Sequence, residues 1–142
     1  MSQSIIQRKK WLVPAALLLT LIGVFVARTA FARVITNTID PAGIVADKGR
    51  RLTVGGPITV TTGERTELRV TVTQRSTGAL AEGVAFLTGT GGPQQWEVEA
   101  AVQGRERFEP GAATAVALAR TTVRGKVTDA HQWLVNITLV KE

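Results

Sequence analysis

The stretch Thr66-Glu67-Leu68-Arg69-Val70-Thr71-Val72-Thr73 alternates polar and apolar residues along its whole length. Successive side chains of a β-strand point to opposite faces, so the alternation puts Leu68, Val70 and Val72 together on one face. The branched Val and Thr side chains also suit an extended backbone and lose freedom in a helix. The segment therefore predicts a strand with one buried and one solvent-exposed face.

Two further segments repeat this alternation, at residues 95–102 and 132–140. Weaker strand candidates are separated by segments rich in Gly, Pro, Ser and Asp, such as Asp40-Pro41 and Gly55-Gly56. Turn signals at intervals of about 8 to 12 residues, without helical periodicity between them, are typical of sandwiches and barrels. The weaker candidates are Val34–Ile39, Arg51–Val54, Pro57–Thr62, Leu80–Leu87 and Thr114–Val123.

The pattern predicts an all-β domain over residues 33–142, an antiparallel β-sandwich of about seven or eight strands. Its outline is similar to that of immunoglobulin-like and fibronectin-type domains. The cysteine pair and the tyrosine corner of those domains are missing, because the sequence has neither Cys nor Tyr.

Three details of this fold follow from local sequence. The alanine-rich run Gly111–Arg120 is predicted as a strand buried on both sides, with Val116 and Leu118 filling one side. A hairpin is predicted to turn at Arg124-Gly125, and the long last segment to bend near Asp129-Ala130-His131. Four aromatic residues are expected to supply a large share of core stability: Trp96, Trp133, Phe86 and Phe108.

The first 32 residues have the organisation of an export signal. Residues 11–27 carry no charge and follow the basic cluster Arg8-Lys9-Lys10. Positive residues before an apolar run stay on the cytoplasmic side, so the chain after Arg28 is expected outside the cytoplasm, in the periplasm or the extracellular space. We therefore predict a basic cytoplasmic tail (1–10), a transmembrane anchor or signal peptide (11–32) and an extracytoplasmic domain (33–142).

Retention and cleavage of this segment both have support. Seventeen uncharged residues are at the lower limit of a membrane-spanning helix, which favours retention. The small-x-small sequence Ala30-Phe31-Ala32 is a candidate cleavage site before Arg33. In a retained helix, the membrane-interface residues would be Arg8, Lys9, Lys10, Trp11, Arg28 and Phe31, and the small residues available for helix packing would be Ala15, Ala16 and Gly23.

Charge argues against nucleic acid as a partner. The chain has 17 Lys and Arg against 11 Asp and Glu, but four of the basic residues flank the apolar leader. The remaining 13 face 11 acids, often beside each other in sequence, which is typical of a mixed solvated surface.

The sequence offers little chemistry. The only His, His131, is near Asp129, but the sole serine outside the leader, Ser76, lacks the flanking residues of a nucleophile elbow. Glu97 and Glu99 are two apart on one strand face, where a solvated pair is the better interpretation than a glycosidase site. We expect no catalytic residue, no metal site and no cofactor.

These observations favour a non-enzymatic, membrane-anchored accessory or scaffolding subunit that stabilises a larger membrane protein complex from the periplasmic or extracellular side. Its expected partners are membrane lipid and proteins of that complex, and the leader is of bacterial style. The alternative is a cleaved, secreted or periplasmic β-sandwich module that binds a ligand or partner through its loops.

Overall fold

The computed structural model describes the backbone of residues 34–142 and the side chains from Thr38 onward. This part of the chain is all-β, which confirms the predicted class. A 3₁₀ turn at Asp47–Gly49 interrupts the strands. The strands are β1 (Val34–Asn37), β2 (Ala42–Ala46), β3 (Arg51–Val60), β4 (Arg65–Gln74), β5 (Ala79–Thr88), β6 (Pro93–Gln103), β7 (Gly111–Val123) and β8 (Lys126–Lys141).

The described strands form one mixed sheet in the order β1-β3-β2-β8-β7-β4-β5-β6. An additional pairing between β3 and β6 joins the ends of this order, so that seven strands close into a barrel-like ring. β1 lies outside the ring, because it pairs with the end of β3 that β2 leaves free.

The prediction of a purely antiparallel sheet is wrong at one pair. β2 runs parallel to β8, with Ala42 opposite Thr138 and Val45 opposite Lys141. Strand β2 was not among the predicted strands. Its five residues, Ala42–Ala46, are too few for a clear alternation, and tertiary contact with β3 and β8 decides their conformation.

The predicted break at Gly55-Gly56 is also wrong, because both glycines lie inside the continuous strand β3. A Cβ atom on Gly56 would collide with the main-chain carbonyl of Thr38, and one on Gly55 would lie 2.6 Å from the carbonyl oxygen of Trp96. Glycine inside a strand commonly marks such a close backbone approach. These two glycines let neighbouring backbones lie against both sides of β3.

The alanine-rich run forms strand β7, as predicted, but it is fully buried on one side only rather than on both. Alternate alanines point into the core, while Val116 is only partly buried and Leu118 is 37% exposed on the other side. Small side chains allow the opposite wall to approach closely, so the core takes the alanines rather than the larger residues. The buried alanines are Ala113, Ala115, Ala117 and Ala119.

The features predicted for the last hairpin are confirmed. Arg124 and Gly125 connect β7 to β8, and both have positive φ angles, as a tight hairpin turn requires. A bulge in β8 lies one residue before the predicted bend: Asp129 is opposite Thr121 and Val127 is opposite Thr122, which leaves Thr128 as the extra residue.

Three of the four aromatic residues expected in the core contact it. Trp96 is 2% exposed, Phe108 is buried, and Trp133 packs partly buried against the core. The prediction for Phe86 is wrong, because its side chain is 58% exposed. Residues 84–87 are apolar on both faces, so alternation could not assign the inner face, which Ala85 and Leu87 occupy.

Replacing Trp96 with Ala should lower the free energy of unfolding by about 3 to 5 kcal/mol, because the cavity left behind cannot close. The matched variant Phe86→Ala should change it by less than about 0.5 kcal/mol, since that ring is exposed. Denaturant unfolding of both variants measures the difference. Equal losses would show that the assigned faces of β5 or β6 are wrong.

Candidate functional site

The outward side chains of four adjacent strands, β5, β4, β7 and β8, form a continuous surface, which we call the outer face. On β4 the even-numbered residues from Thr66 to Val72 are buried, so the odd-numbered residues point outward. Strand pairing then aligns rows of side chains across the sheet. Glu67 lies between Phe86 of β5 and Arg120 of β7.

The neighbouring rows are more apolar. Arg69 lies between Val84 and Leu118, and in the next row Val116 lies opposite Leu134 of β8. Leu134 is 62% exposed, the most exposed large hydrophobic residue of the described chain. The outer face thus presents apolar side chains on its strands β5, β7 and β8.

A charged cluster occupies the middle of the outer face. Arg69 and Arg120 each donate a hydrogen bond to the Glu67 carboxylate, both at 3.2 Å. Partial desolvation would raise the pKa of Glu67, but the hydrogen bonds and positive charges of the two arginines outweigh it. They hold the pKa of Glu67 below its ordinary value.

A third arginine lies at the β5 side. The Arg65 guanidinium is 5.0 Å from the centre of the Phe86 ring, a cation–π arrangement. Arg65 and Phe86 also line a shallow cavity of about 350 Å³, together with Leu87 and Thr88. Across the three rows that contain Arg65, Glu67 and Arg69, the charges are three arginines and one glutamate, so this region has an excess of positive charge.

A separate polar cluster surrounds the bulge of β8. The bulge turns Thr128 toward Thr121, and their hydroxyl oxygens are 2.8 Å apart. The Thr128 hydroxyl also donates to Oε1 of Glu64 at 3.4 Å, and Glu64 is only 5% exposed. Within residues 38–142 no donor reaches the other carboxylate oxygen of Glu64.

A cavity of about 560 Å³ at the opposite end of the strands adjoins the 3₁₀ turn. Three consecutive residues of this turn, Asp47, Lys48 and Gly49, have positive φ angles. The cavity wall mixes apolar residues with charges of both signs, including Lys48, Glu109 and Lys141. This arrangement selects no particular ligand.

The residues predicted to act at the membrane lie outside the described part of the chain. This applies to the interface residues, to the small packing residues and to the cleavage site. Among residues 34–142, no helix has the length and apolar character needed to cross a membrane. The membrane predictions therefore stay predictions.

The structure separates the residues considered for catalysis. His131 is exposed and lies level with Leu68 of β4, whereas Ser76 follows the end of β4 at Gln74. Six residues of strand place them roughly 20 Å apart along the sheet. Glu97 and Glu99 are exposed on β6, and Glu99 pairs with Arg51 at 3.0 Å. In the described residues no three His, Asp or Glu side chains are grouped to hold a metal ion.

Sequence reasoning missed the outer face. Its apolar residues are distributed over separate strands, and only the pairing of four strands brings them together. The one available signal was the apolar run 84–87, which is apolar on both faces and so exceeds what a half-buried strand requires.

Comparisons with known proteins show a structural similarity only. The sequence matches no protein family model, and it matches no curated protein. A solved structure of WR4, a C. elegans MSP family member, is similar to this chain at 16% sequence identity and a TM-score of 0.39. The match covers 74% of this chain and 96% of that one.

The lowered pKa of Glu67 predicts a pH-dependent contribution to stability. Glu67→Gln should lower the free energy of unfolding by up to about 1 kcal/mol at neutral pH, where the carboxylate is ionised. A depressed pKa gives stability above the unfolded-state pKa that is lost as pH falls through the folded-state pKa, so the difference between wild type and variant should disappear in acid.

Denaturant unfolding between neutral and acidic pH tests this prediction, with the exposed loop residue Glu106, as Glu106→Gln, for the matched control. A difference for Glu67→Gln that is constant with pH, or no larger than that of the control, would contradict it.

Proposed function

We propose that this chain is a non-enzymatic, membrane-anchored accessory or scaffolding subunit. In this proposal its extracytoplasmic β-domain stabilises a larger membrane protein complex from the periplasmic or extracellular side. The observation that carries the proposal is the outer face, where Leu134 and Phe86 are exposed around the charged cluster of Glu67, Arg69 and Arg120.

The size and composition of the outer face suit a protein partner. Four strands at about 4.8 Å spacing and rows along about ten residues give a surface of roughly 500 Å² in plan. The accessible area of such a surface is of the order of the ~800 Å² that one partner buries in a standard interface. Apolar side chains near Arg residues are also typical of protein interfaces, where Lys and Glu are depleted.

We also propose that the β-domain is a flattened, two-layer sandwich with an immunoglobulin-like outline. Its support is the short pairing between β5 and β6, which covers only Leu80 to Glu82. At the next residue, Gly83, a Cβ atom would lie 2.6 Å from Cγ1 of Val98 of β6. This close passage fits a strand that leaves one layer for the other.

The membrane part of the proposal is supported by the sequence. The uncharged run 11–27 after Arg8-Lys9-Lys10 suits a helix that spans the bilayer with the basic residues inside. Membrane lipid is then one partner of the chain, and the small residues Ala15, Ala16 and Gly23 provide a surface for a neighbouring helix.

Site-specific photo-crosslinking in the native membrane tests the proposal. A photoreactive residue replacing Leu134 should give one dominant crosslink to a subunit of a membrane complex, because Leu134 is the most exposed apolar position of the outer face. The matched control replaces Glu97, which is exposed on β6, and should give none. Leu134→Arg should abolish co-purification with that subunit while changing the free energy of unfolding by less than about 0.5 kcal/mol.

Absence of crosslinks from position 134, or equal crosslinking from both positions, would contradict the accessory role. The alternative function is a cleaved, secreted or periplasmic binding module, and the observation that favours it is the sequence Ala30-Phe31-Ala32. Intact-mass measurement of the native protein separates the two, because a mature N-terminus at Arg33 would exclude the anchored form.

A further inference from the structure

One edge of β5 is not paired with another strand over half of its length. Pairing with β4 runs from Ala79 to Thr88, whereas pairing with β6 on the other edge ends at Glu82. Within the described residues, the segment 83–87 therefore has an unpaired strand edge. This edge borders the outer face at Val84 and Phe86.

The backbone groups of Val84 and Phe86 point toward this free edge. Gly89 exchanges hydrogen bonds with the β4 side, where its N–H donates to the carbonyl of Glu64 at 2.8 Å and its carbonyl accepts from Gly63 at 2.9 Å. Residues of an antiparallel strand direct their backbone groups to alternate edges. Thr88, Phe86 and Val84 therefore point away from β4, and Nε2 of Gln94 already donates to the Thr88 carbonyl from that side at 3.0 Å.

The usual devices that protect a strand edge are missing from this segment. Residues 83–88, Gly-Val-Ala-Phe-Leu-Thr, contain no charge and no proline, and the pairing with β4 is regular without a bulge. An unprotected edge with free N–H and C=O groups is a template for another strand. Recognition by strand addition uses these backbone groups for affinity and side-chain pockets for specificity.

The side chains beside the edge select the chemistry of the added strand. The cavity of about 350 Å³ is lined by Phe86, Leu87 and Thr88 of β5 and by Arg65 of β4, so a guanidinium group forms part of its wall. In the two neighbouring rows Arg69 and Arg120 share the carboxylate of Glu67, and within residues 38–142 no acid forms an ion pair with Arg65. A carboxylate supplied by the partner would complement Arg65.

We propose that the β5 edge binds an extended, acidic peptide segment of a protein partner as an added strand. Its backbone pairs with Val84 and Phe86, an outward acidic side chain binds Arg65, and inward apolar side chains extend the core beyond Ala85 and Leu87. This inference rests on the proposed function in that it names the chemistry of the protein partner. A second copy of the chain fits less well, because it would place two arginine-rich faces side by side.

Peptide binding to the full-length chain in a neutral detergent micelle tests the proposal. The probes are three capped, fluorescently labelled heptapeptides. Valine alternates with glutamate in the first, with glutamine in the second and with lysine in the third. The variants are Arg65→Gln and Val84→Pro. Proline at position 84 removes an N–H that points to the free edge rather than to β4, and circular dichroism verifies the fold. Arg105→Gln, an exposed arginine outside the sheet, is the matched control.

The glutamate peptide should bind about tenfold more tightly than the glutamine peptide, since a charge-assisted hydrogen bond replaces a neutral one. Arg65→Gln should remove this difference, Val84→Pro should weaken binding of both peptides about tenfold, and Arg105→Gln should preserve the wild-type pattern. Equal binding of the glutamate and glutamine peptides, or binding unaffected by Val84→Pro, would overturn the inference.

Self-pairing is measured on Thr88→Cys, a clean probe because the chain has no other cysteine. A disulfide between two copies in the micelle would overturn the inference in favour of a second copy. Failure of the peptides combined with a specific crosslink from position 134 would reject the strand-addition site and leave the accessory role standing. Peptide binding without that crosslink would support the strand-addition site and contradict the accessory role.

Discussion

Strand β3 pairs with β6 from Arg51 to Thr59, and this pairing turns a row of strands into a closed ring. It depends on two adjacent glycines, since any side chain at Gly55 or Gly56 would push away the backbone of β6 or of Thr38. Closure in turn creates the interior that Trp96, Val98 and the alanines of β7 fill. The inner side of the closed sheet therefore forms the buried core, and part of its outer side forms the outer face.

Much of the fold could be predicted from sequence because half-buried strands alternate. The buried faces of β4, β6 and β8 followed directly from Leu68, Trp96 and Ile137 and their neighbours at two-residue spacing. The hairpin turn at Arg124-Gly125 followed from the preference of tight turns for positive φ.

The errors have a common physical origin in contacts between residues far apart in sequence. Gly55-Gly56 has the composition of a turn, and only the neighbouring strands make it part of β3. In β7 and at Phe86, both faces of the strand are apolar, so packing volume rather than polarity decides which face is buried. The outer face could not be predicted, because it requires the register of four strands.

The outer face joins two kinds of interaction that act differently on a partner. Its exposed apolar residues favour burial against another surface without fixing an orientation, whereas the arginines around Glu67 impose direction through hydrogen-bond geometry. The Glu67 carboxylate also holds Arg69 and Arg120 in place before any partner arrives, which reduces the conformational entropy lost on binding. In the function that we propose, such a face would hold the subunit in one orientation within its assembly.

The parallel pair of β2 with β8 has a consequence for biosynthesis. β8 is the last strand of the described chain, and it lies between β2 and β7. On their other edges, β2 pairs with β3 and β7 pairs with β4. A ribosome delivers residues in order, so the ring stays open until residues 126–141 emerge, with two apolar strand edges uncovered in the meantime. Pairing of segments so distant along the chain is also intrinsically slow. The nascent domain would therefore benefit from a holding chaperone until its final hairpin closes the ring.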